Sequence, residues 1–263
     1  MSTAAQELPQ THSEVVAMAL LSELQPAIVA ALDSLGGKIT KGVEDLYYLY
    51  ALRHINIAVD AFILLRREHR IDGARLLVRP ALEAMLRLQA VRIKTHLLYR
   101  VLLREALEAD KWFGGVARRH GVAYTRVCDR DEWQAFKNRC IAQFGVDKLK
   151  EVPLSSHDAA AEIGVEGYYD SHYRGYCQYT HGALEAVSGS LDELTDPEDT
   201  RVMLHSAMIA LEALADIGAE CPGIASFRER FSAVINQKPE KLFRQKPRNE
   251  TPLSEDPVAD EQT

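Results

Sequence analysis

Apolar residues recur at alternating intervals of three and four along most of this chain, and this spacing limits its fold more than any other feature. Five residues near the N-terminus show the pattern: Leu21, Leu24, Ile28, Ala31 and Leu35. Such spacing places the side chains on one side of an α-helix. No segment shows the period-two alternation with hairpin signals that indicates strands. The sequence therefore predicts an all-α protein.

The helices predicted in the first half follow one another closely. The first begins at a capping box, Thr11-x-x-Glu14, and ends at Gly36-Gly37. The second carries a stripe that we expect to face the core: Tyr47, Tyr50, His54, Ile57, Ala61 and Leu64. Two further helices are expected over residues 74–93 and 94–120, the second continuous with the first or separated from it by a break.

The second half contains more breaks. A short helix over residues 129–145 precedes a loop-rich region over 146–167, where prolines and glycines interrupt any pattern. A tyrosine-rich helix is expected over 168–188. Another begins at Thr195-Asp196-Pro197-Glu198, which combines a capping residue with a first-turn proline. It carries Leu204, Ala207, Leu211 and Leu214 towards Gly218, and a last helix covers 224–235. We expect a bundle of five to seven main helices.

The ends of the chain differ from its centre. Residues 237–263 contain four prolines and few apolar side chains, with basic residues first and acidic residues after them. A segment of this composition cannot bury enough apolar surface to order itself. We therefore predict a flexible N-terminus over residues 1–10, one helical domain over 11–236 and a disordered charged tail over 237–263.

The composition limits the partners and the cellular compartment that we expect for the protein. The net charge of −7 argues against nucleic-acid binding through bulk charge, although a local basic patch remains open. The four cysteines form no Cys-x-x-Cys pair, which is typical of a reduced cytosolic chain. No uncharged apolar run reaches the roughly 18–20 residues of a membrane span, and the N-terminus lacks the pattern of a signal peptide. The sequence predicts a soluble cytoplasmic protein that does not enter a membrane.

A polar and aromatic segment, residues 168–182, interrupts the ordinary helical composition. It contains five of the ten tyrosines, two of the nine histidines and an arginine. Arg174 and His181 are seven residues apart, nearly two helical turns, so a helix would carry both on one face. Burying such groups is costly unless they find partners. The segment is therefore either a specific structural network or a functional site.

A second polar pattern lies in the helix predicted over residues 74–93. Its charged residues are spaced by four: Arg75, Arg79, Glu83 and Arg87. One interpretation is a solvent-facing stripe of weak Glu–Arg pairs. The alternative is that these residues, here called the ladder, face inward. Glu83 would then neutralise arginines that line a cleft shared with Arg174 and His181.

Two motifs resemble known families. The run ARLLVRPALEA over residues 74–84, followed by Tyr173-Arg174 and Tyr179-Thr180-His181-Gly182, resembles an uncharacterised bacterial helical family, domain of unknown function 5677. This similarity covers about residues 40–190. More remotely, the all-α pattern with Arg-x6-His resembles HEPN domains, in which such a pair forms a metal-independent ribonuclease site across a dimer. The resemblance implies Arg174 and His181 as catalytic residues, an RNA substrate and a homodimer.

The chemistry of these residue types fits a phosphodiester. Arginine presents a planar fork to phosphate oxygens, and histidine accepts or donates a proton near neutral pH. Arg79 would add a phosphate contact, and Glu83 would orient a basic partner. Tyr179 and His54 are further supporting residues. RNA or another phosphate-bearing ligand is the expected partner.

Other chemistries are less well supported. The sequence lacks His-Glu-x-x-His, a P-loop and the Rossmann glycine motif, and no histidine has a glutamate three residues before it. Asp170, His172, Cys177 and His181 do not share one helical face, so we predict no metal and no cofactor. Cys177 as a nucleophile would need a histidine within reach, which the sequence does not decide.

Whether the protein is an enzyme stays open between two functions. The first is the HEPN-like nuclease, or a nuclease-derived defence module. The second is a non-catalytic interaction or scaffold domain, in which the arginine, glutamate, tyrosine and histidine side chains form a structural network. Because tyrosine and arginine are enriched at interface centres, we expect a homodimer with Tyr173, Tyr176 or Tyr179 near its two-fold axis.

Overall fold

The computed structural model of the protein describes residues 12–35, 43–121, 130–145, 147–180 and 192–236. These residues form nine α-helices: α1 (His12–Ser34), α2 (Val43–Arg67), α3 (Ile71–Ile93), α4 (Leu98–His120), α5 (Arg130–Phe144), α6 (Ser156–Glu162), α7 (Glu166–Thr180), α8 (Asp192–Asp216) and α9 (Ile224–Ile235). Short 3-10 helices cover Thr95–Leu97 and Leu149–Glu151. The described residues contain no strand, so the all-α class is confirmed. The predicted flexible N-terminus and charged tail lie outside the described residues.

Helix α3 is the centre of the bundle. It packs against α2, α6, α7 and α8, while α1 lies mainly against α8 and α2. Eleven of its residues are buried, including Val78, Leu82 and Val91. A buried ion pair between Glu14 and Arg66 also joins α1 to α2. One large apolar core therefore holds α1, α2, α3 and α8 together and supports α7 on one side.

Two of the predicted apolar stripes are confirmed. The α1 stripe is buried along its whole length, from Leu21 to Leu35. The α8 stripe is buried as well: Leu204, Ala207, Leu211 and Leu214. In both helices the spacing correctly identified residues that enter the core.

The stripe predicted for α2 is wrong. Tyr47 is buried, but Tyr50, Ile57 and Leu64 are 63%, 67% and 59% exposed, and His54 is exposed too. The buried side of α2 is the opposite one, with Ala51, Leu52, Ile55, Val59 and Phe62. Both sides of this helix carry apolar residues at helical spacing. Periodicity alone therefore could not decide which side packs against α3.

Some helix boundaries also differ from the prediction. Helix α6 lies in the region predicted to be loop-rich, and Ser155 begins it through a capping box with Asp158. Helix α8 begins at Asp192 rather than Thr195. The tyrosine-rich helix is described from Glu166 to Thr180, and the rest of its predicted length, to residue 188, lies outside the described residues.

Two helical segments, Glu14–Ser34 and Leu46–Arg67, are long and apolar enough to cross a membrane by length and composition alone. Core helices of soluble proteins pass the same test, and both segments contribute residues to the core of this bundle. A soluble cytoplasmic protein stays a prediction.

Candidate functional site

The carboxylate of Asp199 joins the three helices α3, α7 and α8. Arg75 of α3 donates its Nε–H to Asp199 Oδ2 of α8 at 2.8 Å. Tyr176 of α7 donates its hydroxyl to Asp199 Oδ1 at 2.7 Å. All three side chains are buried, with Arg75 completely enclosed. We call these three residues the Asp199 cluster.

The Asp199 cluster has the properties of a buried structural contact. Charge-assisted hydrogen bonds offset the cost of removing the arginine and the carboxylate from water. Burial, together with the charge of Asp199, raises the pKa of Tyr176 well above its ordinary value. Tyr176 therefore stays protonated and acts as a donor. Because it lies in the core of a single chain, Tyr176 is not available to a partner surface.

The next two residues of the ladder, Arg79 and Glu83, are more exposed to solvent than Arg75. Arg79 donates its Nε–H to Glu83 Oε1 at 3.0 Å and its Nη2–H to the Tyr173 hydroxyl at 3.1 Å. Its guanidinium carbon lies 5.2 Å from the centre of the Tyr173 ring, and that ring stacks on Tyr169 with centroids 4.4 Å apart. The side chains of Arg79 and Glu83 are each 23% exposed. These four residues form what we call the α3–α7 edge.

The ladder ends in a contact with α4. Arg87 lies 3.9 Å from Glu83 and donates to Glu105 Oε1 at 3.0 Å. The ladder therefore lies between helices: Arg75 contacts α8, Arg79 contacts α7 and Arg87 contacts α4. The interpretation as a solvent-facing stripe is wrong for Arg75. Glu83 lies between Arg79 and Arg87, a pairing that both interpretations predicted. The cleft shared with Arg174 and His181 stays a prediction.

A second polar group lies between α7, α8 and α9. His172 has an acceptor oxygen near each ring nitrogen, the Tyr168 carbonyl 2.9 Å from Nδ1 and Glu198 Oε2 3.2 Å from Nε2. The hydrogen bond from His172 lowers the pKa of Glu198. His205 donates Nδ1–H to the Arg201 carbonyl, and burial lowers its pKa. The Tyr168 hydroxyl is buried without a hydrogen-bond partner among the described residues.

The predicted catalytic residues lie at the limit of what the structure describes. Arg174 belongs to α7, but its side chain and that of Tyr179 are outside the described residues, as is the whole of His181. Asp170 and Ser171, one turn before Arg174, are exposed, as is Gly175. The predicted supporting pair Arg79 and Glu83 lies together in the α3–α7 edge.

The remaining supporting residue, His54, lies on the exposed side of α2, where its ring stacks on Tyr50 with centroids 6.3 Å apart. Sequence reasoning did not single out Asp199, although it is an acidic residue that directly precedes the buried run of α8. Within the described residues, no group of three or more histidine, cysteine or acidic side chains could hold a metal ion.

The ladder and the tyrosine-rich helix α7 both lie within the segment that a family model matches. This model covers residues 45–199, more than half of the chain, and describes a family of unknown function, DUF5677. The chain belongs to this family. No curated protein and no solved structure matched it.

Proposed function

We propose that this protein is a metal-independent ribonuclease whose site includes Arg174, a residue of α7, and His181. The Arg-x6-His spacing and its resemblance to HEPN domains support this proposal. The α3–α7 edge supports it as well, because the Arg79 guanidinium is a second cation on the helix that packs against α7. The Arg79 side chain is 23% exposed, and it would contact phosphate in place of its bonds to Glu83 and Tyr173.

The observation that carries the proposal is the two-sided character of α7. Tyr176 marks the side that enters the core, and Asp170 and Ser171 mark the side that meets solvent. In an α-helix, position 174 shares its side with positions 170 and 171. The described backbone therefore places position 174 on the side of α7 that carries the exposed residues, and His181 lies outside the described residues.

The proposed reaction is an internal transfer within RNA. The 2′-hydroxyl oxygen bonds to the adjacent phosphorus while the bond from phosphorus to the 5′-oxygen breaks, which leaves a 2′,3′-cyclic phosphate and a 5′-hydroxyl. His181 takes the proton from the 2′-hydroxyl, and water or the histidine of a second chain supplies one to the leaving 5′-oxygen. The Arg174 guanidinium stabilises the additional negative charge on the phosphate oxygens.

The test is cleavage of single-stranded RNA by the full chain in EDTA. We expect cyclic phosphate products, no cleavage of the matched DNA, and a loss on the order of a hundred-fold or more for Arg174→Ala and for His181→Ala. Arg119→Ala and His120→Ala, exposed positions at the end of α4, serve as matched controls and should retain full activity. Equal residual cleavage in all four variants would assign the activity to a contaminant and contradict the proposal.

A second candidate function is favoured by the Asp199 cluster. Its three buried, mutually bonded groups suit a non-catalytic domain whose polar residues fix helix packing and present a surface to a partner. In that case no form of the protein would cut RNA. Arg174→Ala and His181→Ala would then lower thermal stability, by about 1–3 kcal/mol for each partner left unpaired, if their side chains belong to such a network. Melting curves and RNA gels on the same variants distinguish the two functions.

A further inference from the structure

The exposed side of α2 is an apolar stripe that no described helix covers. Leu46, Tyr50, Ile57 and Leu64 lie on it with most of their surface in water. Arg53 and Asp60 are exposed on the same side. With them, the six residues of the stripe follow one another at intervals of four, three, four, three and four. The stripe extends from Leu46 to Leu64, about 27 Å along the helix axis. A continuous exposed apolar surface of this kind marks an interaction site.

The order of residues in this stripe is self-complementary. When a second α2 runs antiparallel to the first, with the two-fold axis at the level of residue 55, each position of the stripe meets another position of the same stripe. Leu46 then meets Leu64 of the second copy, and Ile57 meets the aliphatic part of Arg53. Tyr50 then lies opposite Asp60. A two-fold contact requires a surface that matches itself in this way.

The two charges of the stripe are complementary in the same arrangement. Arg53 and Asp60 lie on one flank of α2, and an antiparallel partner brings Asp60 of one copy within about 4.5 Å, along the helix axis, of the level of Arg53 in the other. Two symmetric ion pairs would form. Within one chain, seven residues separate Arg53 from Asp60, too far for direct contact. Neither has an ion-pair partner among the described residues.

A second copy fits this surface better than a lipid bilayer does. Arg53 and Asp60 lie in the middle of the stripe rather than at its ends. In a bilayer this middle part would meet the hydrocarbon, where burying charged side chains is costly. Between two proteins the same charges pair and define the register. We propose that two copies of this chain associate through antiparallel α2 helices, with Arg53 of each paired to Asp60 of the other. This contact is independent of the proposed nuclease site, because it uses no residue of α7.

The test measures the mass of the full chain by sedimentation equilibrium at micromolar concentrations. We expect a species of twice the 29.4 kDa chain mass for the wild type. Arg53→Asp and Asp60→Arg each place like charges opposite one another, so each should raise the dissociation constant at least about ten-fold. The double variant Arg53→Asp/Asp60→Arg restores opposite charges and should recover the dimer.

An equimolar mixture of the two single variants tests the proposed ion pairs most directly. One chain then carries Asp at both positions and the other carries Arg at both, so only the mixed dimer has complementary charges. We expect the mixture to dimerise about as tightly as the wild type, although each variant alone dimerises at least about ten-fold more weakly. Circular dichroism melting of each variant confirms that the fold is retained.

Four outcomes would overturn the proposal. A wild type that remains monomeric throughout would exclude the dimer, and a dimer indifferent to both single substitutions would place it on another face. Single variants that dissociate, but recover neither in the double variant nor in the mixture, would exclude the antiparallel register. Binding of monomeric wild type to vesicles of phosphatidylcholine and phosphatidylserine would instead assign the stripe to a membrane.

Discussion

Arg75 donates to Asp199 at 2.8 Å, and the two side chains are 0% and 1% exposed. The pair connects the central helix α3 to α8, and Tyr176 connects the same carboxylate to α7. One acidic residue therefore fixes which side of α7 enters the core. The side of α7 that carries the exposed Asp170 and Ser171 is opposite this buried contact.

The first prediction concerns that carboxylate. Asp199→Asn should lower the free energy of unfolding by about 3–5 kcal/mol, because the neutral amide no longer offsets the buried charge of Arg75 as the carboxylate does. Asp216→Asn is the matched control. Asp216 also pairs with an arginine, Arg92, but its side chain is 57% exposed, so its loss should cost less than about 1 kcal/mol. Urea titrations of both variants test this, and equal losses would contradict the assigned role of Asp199.

The second prediction tests the orientation of α2. Leu52 is completely buried and Leu46 is 59% exposed on the same helix. Leu52→Ala should destabilise the chain by about 2–5 kcal/mol through loss of apolar burial and a residual cavity. Leu46→Ala should cost less than about 1 kcal/mol. The measurement is chemical denaturation at protein concentrations low enough to keep the chain monomeric, and the reverse order of effects would indicate that α2 is rotated.

The third prediction concerns the α3–α7 edge. Arg79→Gln removes a cation beside the proposed phosphate site but leaves Arg174 and His181 in place. We expect the KM for RNA to rise several-fold, with kcat little changed, because a positioning contact contributes to binding more than to the chemical step. Arg118→Gln, an exposed position on α4, is the control. A large fall in kcat with unchanged KM would place Arg79 in the chemical step instead.

The fourth prediction is a dependence of stability on pH. Burial lowers the pKa of His205 below its ordinary value of 6.5. The hydrogen bond to the Arg201 carbonyl and the charge of Glu198 oppose this shift, whereas His172 and the charge of Arg201 lower the pKa further. The folded state therefore holds His205 neutral, whereas the unfolded chain takes up a proton as the pH falls below 6.5. The stability from the neutral imidazole is complete above that pH and is lost below it, by at most about 1.4 kcal/mol per pH unit.

His205→Asn removes this titration. The wild type should lose more stability than the variant when the pH is lowered from neutral to about 5, a range above the one in which carboxylates become protonated. His120→Asn, at the exposed end of α4, should follow the wild type. Parallel curves for the wild type and His205→Asn would show that His205 does not contribute.

The sequence predicted the buried side of α1 correctly. Its stripe from Leu21 to Leu35 enters the core because the long apolar side chains lie on it, whereas the exposed side carries smaller or polar residues such as Ala19, Ala30 and Asp33. The α2 stripe failed because Ile57 and Leu64 have the same spacing as Ile55 and Phe62. Only the packing against α3, a tertiary contact, decides between the two sides.

The polar contacts were predictable only in part. The spacing of Arg79 and Glu83 within one helix indicated their pairing, since positions four apart are neighbours. The partner of Arg75 was not predictable, because Asp199 lies 124 residues away and several acidic residues could have occupied that place. Helix α6 was missed because its seven residues are too few for a periodic signal, although Ser155 and Asp158 carry its capping box.

The packing of α1 against α8 has a consequence for how the protein is made. These helices lie side by side in the finished bundle, yet about 160 residues separate the end of one from the start of the other. At roughly 5–20 residues per second, a ribosome takes on the order of ten seconds or more to span that interval. During this time Leu21, Leu24 and Ile28 have no α8 to cover them. A nascent chain of this protein should therefore recruit chaperones through its first helix until translation reaches the eighth.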